Sequence, residues 1–146
     1  MTIDLEILGR TVKRAQHRQH RALEAALASI GTTVVQWDAM RAIARSPDAS
    51  AHDLAVATFQ TDQSFGTLAN RLESQGWIAR RQGTGRRIEH RLTAAGEEKL
   101  REATAIAEVV RARLFEPLGE RDRRELQRIL GTLLAGDADT FPGSGV

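Results

Sequence analysis

The chain has 146 residues, which fits one domain with a real core and is too short for two independent globular units. It contains no cysteine, so disulfides and sensing by thiol oxidation are excluded, and the formal net charge of +2 is small enough that its distribution matters more than its total. No apolar stretch approaches the roughly 20 residues of a membrane span, and residues 1–10 lack a signal-peptide pattern, so a cytoplasmic location is expected.

The first predicted element is a long amphipathic helix over Ile3–Ala28, in which apolar residues recur at helical spacing from Leu5 to Leu27. Gly31 breaks this helix, and a second helix is predicted over Gln36–Arg45. The second helix is short and partly apolar, which is typical of a support for the segment that follows.

Two histidines of the first helix, His17 and His20, have the i, i+3 spacing that can place two metal ligands on one helix face. With no cysteine in the chain and no acid close by in sequence, a solvated basic face is the favoured interpretation. We therefore predict no metal site and no cofactor.

A helix-turn-helix is predicted next. Ser50 can cap a short helix over Ala51–Ala57, because Asp53 lies three residues further on and completes a capping box. Thr61 then offers a second N-cap, and the helix that it starts is predicted over Asp62–Gln75.

The second of these helices has two contrasting faces. Its apolar residues follow the i, i+3, i+4, i+7 spacing of a face buried in a core: Phe65, Leu68, Ala69 and Leu72. The opposite face carries groups that read base edges or hold phosphates: Gln63, Ser64, Thr67, Asn70 and Arg71. Gly66 costs a helix interior about 1 kcal/mol relative to alanine, which indicates either close backbone approach to DNA or tight packing against the neighbouring helix.

A basic hairpin follows. Gly76 ends the helix as a C′ residue, a strand is predicted over Trp77–Arg81, residues 82–85 form the turn, and Arg86–Leu92 alternates as a second strand. His90 on that strand is expected to lie against the domain or near DNA. The hairpin sets five arginines against the single acid Glu89: Arg80, Arg81, Arg86, Arg87 and Arg91. A positive tip beside such a helix is typical of phosphate contact or minor-groove insertion.

Two more helices are predicted after the hairpin. Thr93 can cap a helix that runs through Gly96 to about Phe115, with an apolar stripe from Leu100 to Leu114. A last helix is predicted over Glu120–Leu134, and the tail at residues 136–146 is small, polar and expected to be frayed and flexible. The apolar faces of the first helix and of the last two helices exceed what one small lobe needs, which indicates a second protomer.

Five fragments, taken in their order and spacing, carry a family resemblance. They are Gln36-Trp37, Leu54-Ala55, the run from Leu72 to Arg80, Arg86-Arg87, and the run from Leu92 to Gly96. Together they resemble the MarR-type winged-helix transcription regulators, and the similarity extends as a helical pattern over nearly the whole chain.

The resemblance implies a mainly α fold with a small β-hairpin. A winged helix-turn-helix DNA-binding lobe over residues 36–93 would be flanked by N- and C-terminal dimerisation helices over residues 1–30 and 97–135, all within one domain. The implied function is that of a homodimeric repressor on a palindromic operator in double-stranded DNA. The predicted DNA-binding residues are Gln63, Ser64, Thr67, Asn70, Arg71, Arg81, Arg86 and Arg87.

The hairpin departs from the family at one position. Family members commonly place an aspartate two residues before the wing arginine, and here that position, ahead of Arg87, is Gly85. The acid that usually orients the arginine is absent, which predicts either a more mobile tip or a tip that holds DNA through looser phosphate contacts.

The family resemblance also implies release from DNA by a small ligand, of an aromatic or phenolic kind. Trp37 and Trp77 either line a pocket for it between the DNA-binding lobe and the terminal helices or simply belong to the core.

The sequence shows no nucleophile elbow, no phosphate-binding loop and no closely spaced catalytic carboxylates, so no enzymatic activity is predicted. The alternative from another class is a winged-helix dimerisation or protein-interaction module that never touches DNA. The basic hairpin and the polar helix face argue against it, because a protein-docking face would expose aromatic or aliphatic side chains there.

Overall fold

The computed structural model describes residues 1–135, so the predicted frayed tail at residues 136–146 lies outside the described residues. The described chain is mainly helical with one antiparallel hairpin, as predicted. Its elements in chain order are α1 (Leu5–Ala28), α2 (Val34–Arg45), α3 (Ala51–Ala57), α4 (Asp62–Ser74), β1 (Ile78–Gln82), β2 (Ile88–Leu92), α5 (Ala94–Leu114) and α6 (Glu120–Leu134). Within residues 1–135, none of the helices combines the length and the apolar character that a membrane crossing requires.

Local capping explains where the helices of the helix-turn-helix begin. The predicted capping box is confirmed: the Asp53 amide donates to Ser50 Oγ at 3.1 Å, and the Ser50 amide donates to Asp53 Oδ2 at 3.2 Å. Thr61 caps α4 by accepting from the Ser64 amide at 3.0 Å. Both helices therefore start where the sequence predicts, and α4 ends one residue early.

Gly76 turns the chain from α4 into β1. It has φ +79°, its amide donates to Glu73 O at 2.9 Å, and the Trp77 amide donates to Leu72 O at 3.0 Å. These two bonds are the Schellman pattern, which satisfies carbonyls at the end of a helix and favours glycine at C′. The predicted role of Gly76 is confirmed.

Two helix starts differ from the prediction because of caps that periodicity does not reveal. Asp4 caps α1 by accepting from the Glu6 amide at 2.9 Å, so the helix begins at Leu5. Thr33 caps α2 by accepting from the Gln36 amide at 3.1 Å, so that helix begins two residues earlier than predicted.

Both strands of the hairpin differ from the prediction: β1 is shifted by one residue, and β2 begins two residues later. Its register pairs Gln82 with Ile88, and the Gly83 amide donates to Arg87 O at 2.7 Å across the base of the turn. The prediction that Arg86 begins the second strand is therefore wrong: Arg86 and Arg87 belong to the turn. Ile88 alternates onto the same side of β2 as buried His90 but is 45% exposed, because it lies next to the turn.

The first core joins the helix-turn-helix to the hairpin. The predicted apolar face of α4 is confirmed: Phe65, Ala69 and Leu72 are buried and Leu68 is partly buried. Their buried neighbours come from α2, α3 and β1: Ala39, Met40, Ile43, Leu54, Ala55 and Ile78.

A second core joins the C-terminal end of α1 to α2 and α5. Leu23 and Leu27 pack with Trp37 and with the predicted α5 stripe at Ala103 and Ala107. The N-terminal half of α1 leaves this core, and its apolar side chains are exposed in the described protomer: Leu5, Ile7, Leu8 and Val12.

One glycine fixes the approach of α5 to the hairpin. A Cβ on Gly96 would lie 1.9 Å from the Trp77 backbone oxygen. Thr93 sits between these segments: its hydroxyl donates to Gly76 O at 2.6 Å and accepts from the Gly96 amide at 3.0 Å. The predicted cap of α5 is thus confirmed.

The chain divides into two compact units, Met1–Val110 and Arg111–Val146. In the second unit, the Arg123 guanidinium donates to Phe115 O at 3.0 Å, and α6 has no buried residue among those described. Ile129, Leu133 and Leu134 on this helix are exposed.

Candidate nucleic-acid interface

The predicted reading face of α4 is exposed along its length. All five of its predicted residues are exposed: Gln63, Ser64, Thr67, Asn70 and Arg71. They lie opposite the buried Phe65, Ala69 and Leu72, so one face of α4 packs in the core and the other face is accessible to solvent. A Cβ on Gly66 would meet nothing within 4 Å, so the explanation by tight packing against the neighbouring helix is wrong.

Arg80 of β1 ties the hairpin to α4. Its Nη2 donates to Glu73 Oε1 at 3.1 Å and its backbone amide donates to Glu73 Oε2 at 3.2 Å. The same Nη2 donates to Asn70 Oδ1 at 2.6 Å. Hydrogen bonding by Arg80 lowers the pKa of Glu73, so this carboxylate stays charged over a wide pH range. Sequence reasoning placed Arg80 only in the basic cluster and missed these contacts.

The hairpin carries one internal ion pair. Arg81 Nε donates to Glu89 Oε2 at 3.1 Å, and the two residues are directly paired in the register. The predicted DNA-binding residue Arg81 therefore already has a partner, whereas Arg86 and Arg87 lie exposed in the turn. No ion pair of Arg86 or Arg87 occurs within residues 1–135.

The turn has its own hydrogen bonds in place of the family aspartate. Gln82 Nε2 donates to Gly85 O at 3.2 Å, and the Gly83 amide closes the turn on Arg87 O at 2.7 Å. Gly85 has φ +69°, a left-handed conformation that favours glycine and disfavours most other residues. The glycine at this position thus fits the local backbone.

A polar contact links the two helices of the helix-turn-helix at their exposed ends. His52 Nδ1 lies 2.8 Å from Asp62 Oδ1, and both side chains are 70% exposed. The hydrogen bond with Asp62 raises the pKa of His52. The sequence alone gave no sign of this pair, because the two residues belong to different elements.

His90 of β2 is buried against Phe65 of α4, so of its two predicted positions the structure supports packing against the domain. It is 3% exposed and its ring meets the Phe65 ring edge-on at 5.7 Å. Its Nδ1 has no hydrogen-bond partner in the described part of the chain. Burial lowers the pKa of His90, and the positive charge of Arg80 lowers it further, so the ring is neutral near pH 7.

A groove of about 880 Å³ lies between α2, β2 and the N-terminal half of α5. Its wall is mixed, because apolar side chains lie beside charges of both signs: Ile43 and Leu100, with Arg91, Arg101, Glu97 and Glu108. Buried His90 also contributes to the wall. The groove opens between the DNA-binding lobe and a flanking helix, where a ligand could act on both.

The two tryptophans lie outside the lining of this groove. Trp37 is 1% exposed, and its indole Nε1 donates to Thr104 Oγ1 at 3.3 Å. Trp77 is partly buried, with Lys99 Nζ 5.5 Å from the ring centre. Their part in a ligand pocket stays a prediction. The burial of Trp37 in the second core agrees with the alternative, that it is a core residue.

Among the residues that the structure describes, the histidines of α1 form no cluster large enough to hold a metal ion. His20 Nε2 lies 3.5 Å from Glu24 Oε2, and residues 1–135 contain no cluster of three or more side chains suited to a metal.

Comparison with curated proteins gives relatives of one kind. The HTH-type transcriptional repressor Rv2887 of Mycobacterium tuberculosis is 31% identical over 113 residues, which cover 76% of this chain and 81% of the relative. The HTH-type transcriptional repressor Mb2911 of Mycobacterium bovis matches with the same identity and the same coverage.

Solved structures agree with this relationship. The crystal structure of Rv2887 with p-aminosalicylic acid has a TM-score of 0.72 at 29% identity, covering 86% of this chain and 97% of that one. The complex of Rv2887 with DNA has a TM-score of 0.74 at 27% identity, covering 88% and 98%. A mutant MarR of Escherichia coli with operator DNA has a TM-score of 0.82 at 19% identity, covering 92% and 99%, and supports the fold alone.

The model of the MarR family matches residues 30–88, which span the helix-turn-helix and the hairpin up to the start of β2. The identity of 31% to the curated repressors extends over most of both chains and agrees with this family match. The chain belongs to the MarR family of winged helix-turn-helix transcriptional regulators.

Proposed function

We propose that this regulator is a homodimeric repressor that binds a palindromic operator in double-stranded DNA. The observation that carries the proposal is the exposed polar face of α4, joined through Arg80 to a hairpin whose turn carries two arginines without ion pairs among the described residues. A helix of this kind fits the major groove, and positive turns attract the phosphate backbone.

The exposed face of α4 and the turn of the hairpin would contact different parts of the DNA. Exposed side chains of α4 would read base edges: Gln63, Ser64, Thr67, Asn70 and Arg71. Arg86 and Arg87 would hold phosphates, which positions the protein without selecting a sequence. Arg81 would contribute less, because its guanidinium is already paired with Glu89.

Dimerisation would use residues 1–30 and 97–135, and the DNA-binding lobe would be residues 36–93 of the same domain. The support is the set of exposed apolar side chains on α1 and α6, which a single protomer leaves in water. A two-fold dimer would set its two α4 helices about 34 to 36 Å apart, matching two half-sites one DNA turn apart.

A small aromatic or phenolic acid would release the dimer from DNA. The related Rv2887 has been crystallised with salicylic acid and with p-aminosalicylic acid. In this chain the groove between α2, β2 and α5 offers apolar walls with Arg91 beside them. Its other charged lining residues are Arg101, which is paired with Glu98, and the acids Glu97 and Glu108. A ligand there shifts the population toward conformations whose spacing no longer matches the operator, in proportion to its differential affinity.

The proposed regulator has no catalytic activity of its own. The competing function is a winged-helix interaction module without DNA binding. The two make opposite predictions for one measurement, which is binding of the purified protein to its own upstream DNA and to an unrelated duplex, by fluorescence anisotropy at several salt concentrations. A repressor binds the upstream DNA selectively in the nanomolar range and more weakly as salt rises, whereas equal weak binding to both duplexes would favour the interaction module.

The turn is tested in the same assay with Arg86→Ala/Arg87→Ala. Loss of two phosphate contacts should weaken binding to both duplexes and reduce the salt slope by about 2. The matched control is Arg14→Ala/Arg18→Ala, which removes the same charge from the exposed face of α1. Equal effects of the two double variants would mean that only net charge matters and that the turn has no special role.

A further inference from the structure

We infer that Arg80 fixes Asn70 as a hydrogen-bond donor toward DNA, and that this orientation selects guanine or thymine and disfavours adenine at one base pair of each half-site. The inference rests on the proposed function and adds a specificity rule to it. Asn70 would be a specificity-determining residue, and Arg80 a positioning residue that acts through it.

The orientation of the Asn70 amide follows from chemistry. Arg80 Nη2 lies 2.6 Å from Asn70 Oδ1, and a guanidinium has only donors, so the atom that faces it must be the amide oxygen. The amide nitrogen Nδ2 then points to the other side. No hydrogen bond of Nδ2 occurs in the described part of the chain, and Asn70 is exposed on the reading face.

Arg80 is itself held in place, which keeps the amide from turning. Glu73 accepts from Arg80 Nη2 at 3.1 Å, from Arg80 Nε at 3.3 Å and from the Arg80 backbone amide at 3.2 Å. The Arg80 side chain is only 23% exposed. The Arg80 guanidinium is already held by the Glu73 carboxylate, so it loses little further conformational freedom when the protein binds DNA. Asn70 is therefore presented to DNA in one orientation.

This orientation conflicts with the usual reading of adenine by asparagine. That reading uses Oδ1 to accept from adenine N6 and Nδ2 to donate to N7. Here a base amino group would have to approach Oδ1 beside a guanidinium, whose hydrogens carry the same sign of charge. A lone donor suits guanine, which presents acceptors at N7 and O6, and thymine, which presents O4. Adenine also presents an acceptor at N7, but its neighbouring N6 amino group would then face Asn70 Oδ1 and the Arg80 guanidinium.

The experiment is selection of bound duplexes from a random library by the wild-type protein and by single variants, followed by sequencing. Asn70→Asp keeps an oxygen for Arg80 and replaces the outward donor with an acceptor. Its selected base at one position per half-site should change toward cytosine, and its affinity for the wild-type site should fall roughly 10- to 100-fold.

Arg80→Lys is the matched test of positioning. Lysine keeps the positive charge but lacks the fork that holds Glu73 and Asn70 together, so the amide is released. Adenine should then be accepted at the same position, while the salt slope stays as in the wild type. Ser74→Ala, at the end of α4, is the control and should select the wild-type site.

The outcomes separate the inference from the proposed function. Wild-type selection without any consensus would overturn the proposed function itself. A wild-type consensus with adenine at the Asn70 position would overturn the inference alone. The same consensus for Asn70→Asp as for the wild type, with all sequences weakened equally, would also overturn it and would place Asn70 on a phosphate.

Discussion

At Gly96, an added Cβ would lie 1.9 Å from the backbone oxygen of Trp77. Neither partner can give way easily, because Trp77 leads directly into β1 and Gly96 is held by the Thr93 cap. We expect Gly96→Ala to lower the free energy of unfolding by about 3 kcal/mol, the upper end of the usual cost of overpacking, because the contact is with backbone. Urea unfolding followed by circular dichroism measures the change.

Gly66→Ala is the matched comparison in α4. Its Cβ would meet nothing within 4 Å, so the substitution should raise the free energy of unfolding by about 1 kcal/mol through helix propensity. Equal effects of the two substitutions would contradict the close approach at Gly96. A loss of DNA affinity by the stabilised Gly66→Ala variant would support close backbone approach to DNA at that position.

Buried His90 should make stability fall in mild acid. Burial lowers its pKa in the folded state, so between its usual pKa of about 6.5 and the lower folded pKa the unfolded chain binds more protons. The free energy of unfolding therefore decreases as pH falls through this window. His90→Phe keeps a ring against Phe65 and removes the proton, and its unfolding should depend less on pH between 7 and 5.

His52 serves as the control for this pH dependence, because folding raises its pKa whereas it lowers the pKa of His90. The hydrogen bond with Asp62 raises the folded pKa of His52, so its contribution is present below about pH 6.5 and fades as pH rises through the folded value. His52→Gln should therefore remove the gain of stability that develops as pH falls from the folded pKa of His52 to about 6.5, and should leave the slope below that pH unchanged. If His90→Phe unfolds with the same pH dependence as the wild type, the buried ring is not the cause.

Among the elements, those whose boundaries are set by neighbouring residues could be predicted from the sequence. Ser50 and Asp53 cap α3 within three residues of each other, and Gly76 ends α4 through bonds within one turn. The strand bounds could not be predicted in this way, because the pairing of Gln82 with Ile88 depends on how the whole turn closes.

Contacts between elements of the candidate site could not be predicted from the sequence. The predicted reading face of α4 is exposed as its periodicity required, but periodicity does not reveal that Asn70 meets Arg80, ten residues further along the chain. The same holds for the groove beside α5, whose lining comes from three separate elements. Trp37 and Trp77 were predicted either to line a ligand pocket or to belong to the core, and the sequence left both open because residue type does not determine which cavity a side chain lines.

At the scale of a single element, we expect the charge of the hairpin to control DNA affinity. Glu89 is its one acid, and it pairs with Arg81 at 3.1 Å. Glu89→Gln keeps the shape of the side chain, removes the negative charge and frees Arg81 for phosphate. We expect DNA affinity to rise several-fold at low salt and the salt slope to steepen by up to about 0.9, which anisotropy titrations at several salt concentrations measure.

Glu98→Gln is the control, since it breaks a similar ion pair with Arg101 on α5 and changes the net charge equally. It should leave the salt slope near the wild-type value. An equal gain from both variants would show that affinity follows net charge rather than the charge of the hairpin.

For the whole molecule, the exposed half of α1 is the feature that a single protomer leaves unexplained. Leu8 and Val12 are 41% and 45% exposed, whereas Leu23 and Leu27 further along the same apolar stripe are 3% and 0% exposed. The stripe is thus continuous in sequence but buried at one end only. Large apolar side chains that follow a core stripe into water indicate a surface that a second copy covers.

Leu8→Asn/Val12→Asn should therefore dissociate the dimer. Burial of such side chains is worth about 1.5 to 3 kcal/mol each, and a two-fold interface loses four of them, so the dimer Kd should rise by about 10,000-fold or more. Sedimentation velocity over a range of concentrations measures this change. Because a monomer reaches one half-site only, operator affinity should also fall, by roughly 100-fold or more.

Lys13→Asn/His17→Asn is the matched control, because it places the same residue type on the opposite, basic face of the same helix. It should stay dimeric at concentrations where the Leu8→Asn/Val12→Asn protein is monomeric, with a similar helix content in both. Dimers of unchanged affinity from both variants would mean that α1 does not form the interface. Monomers from both would mean that loss of helix propensity, and not loss of apolar burial, separates the protomers.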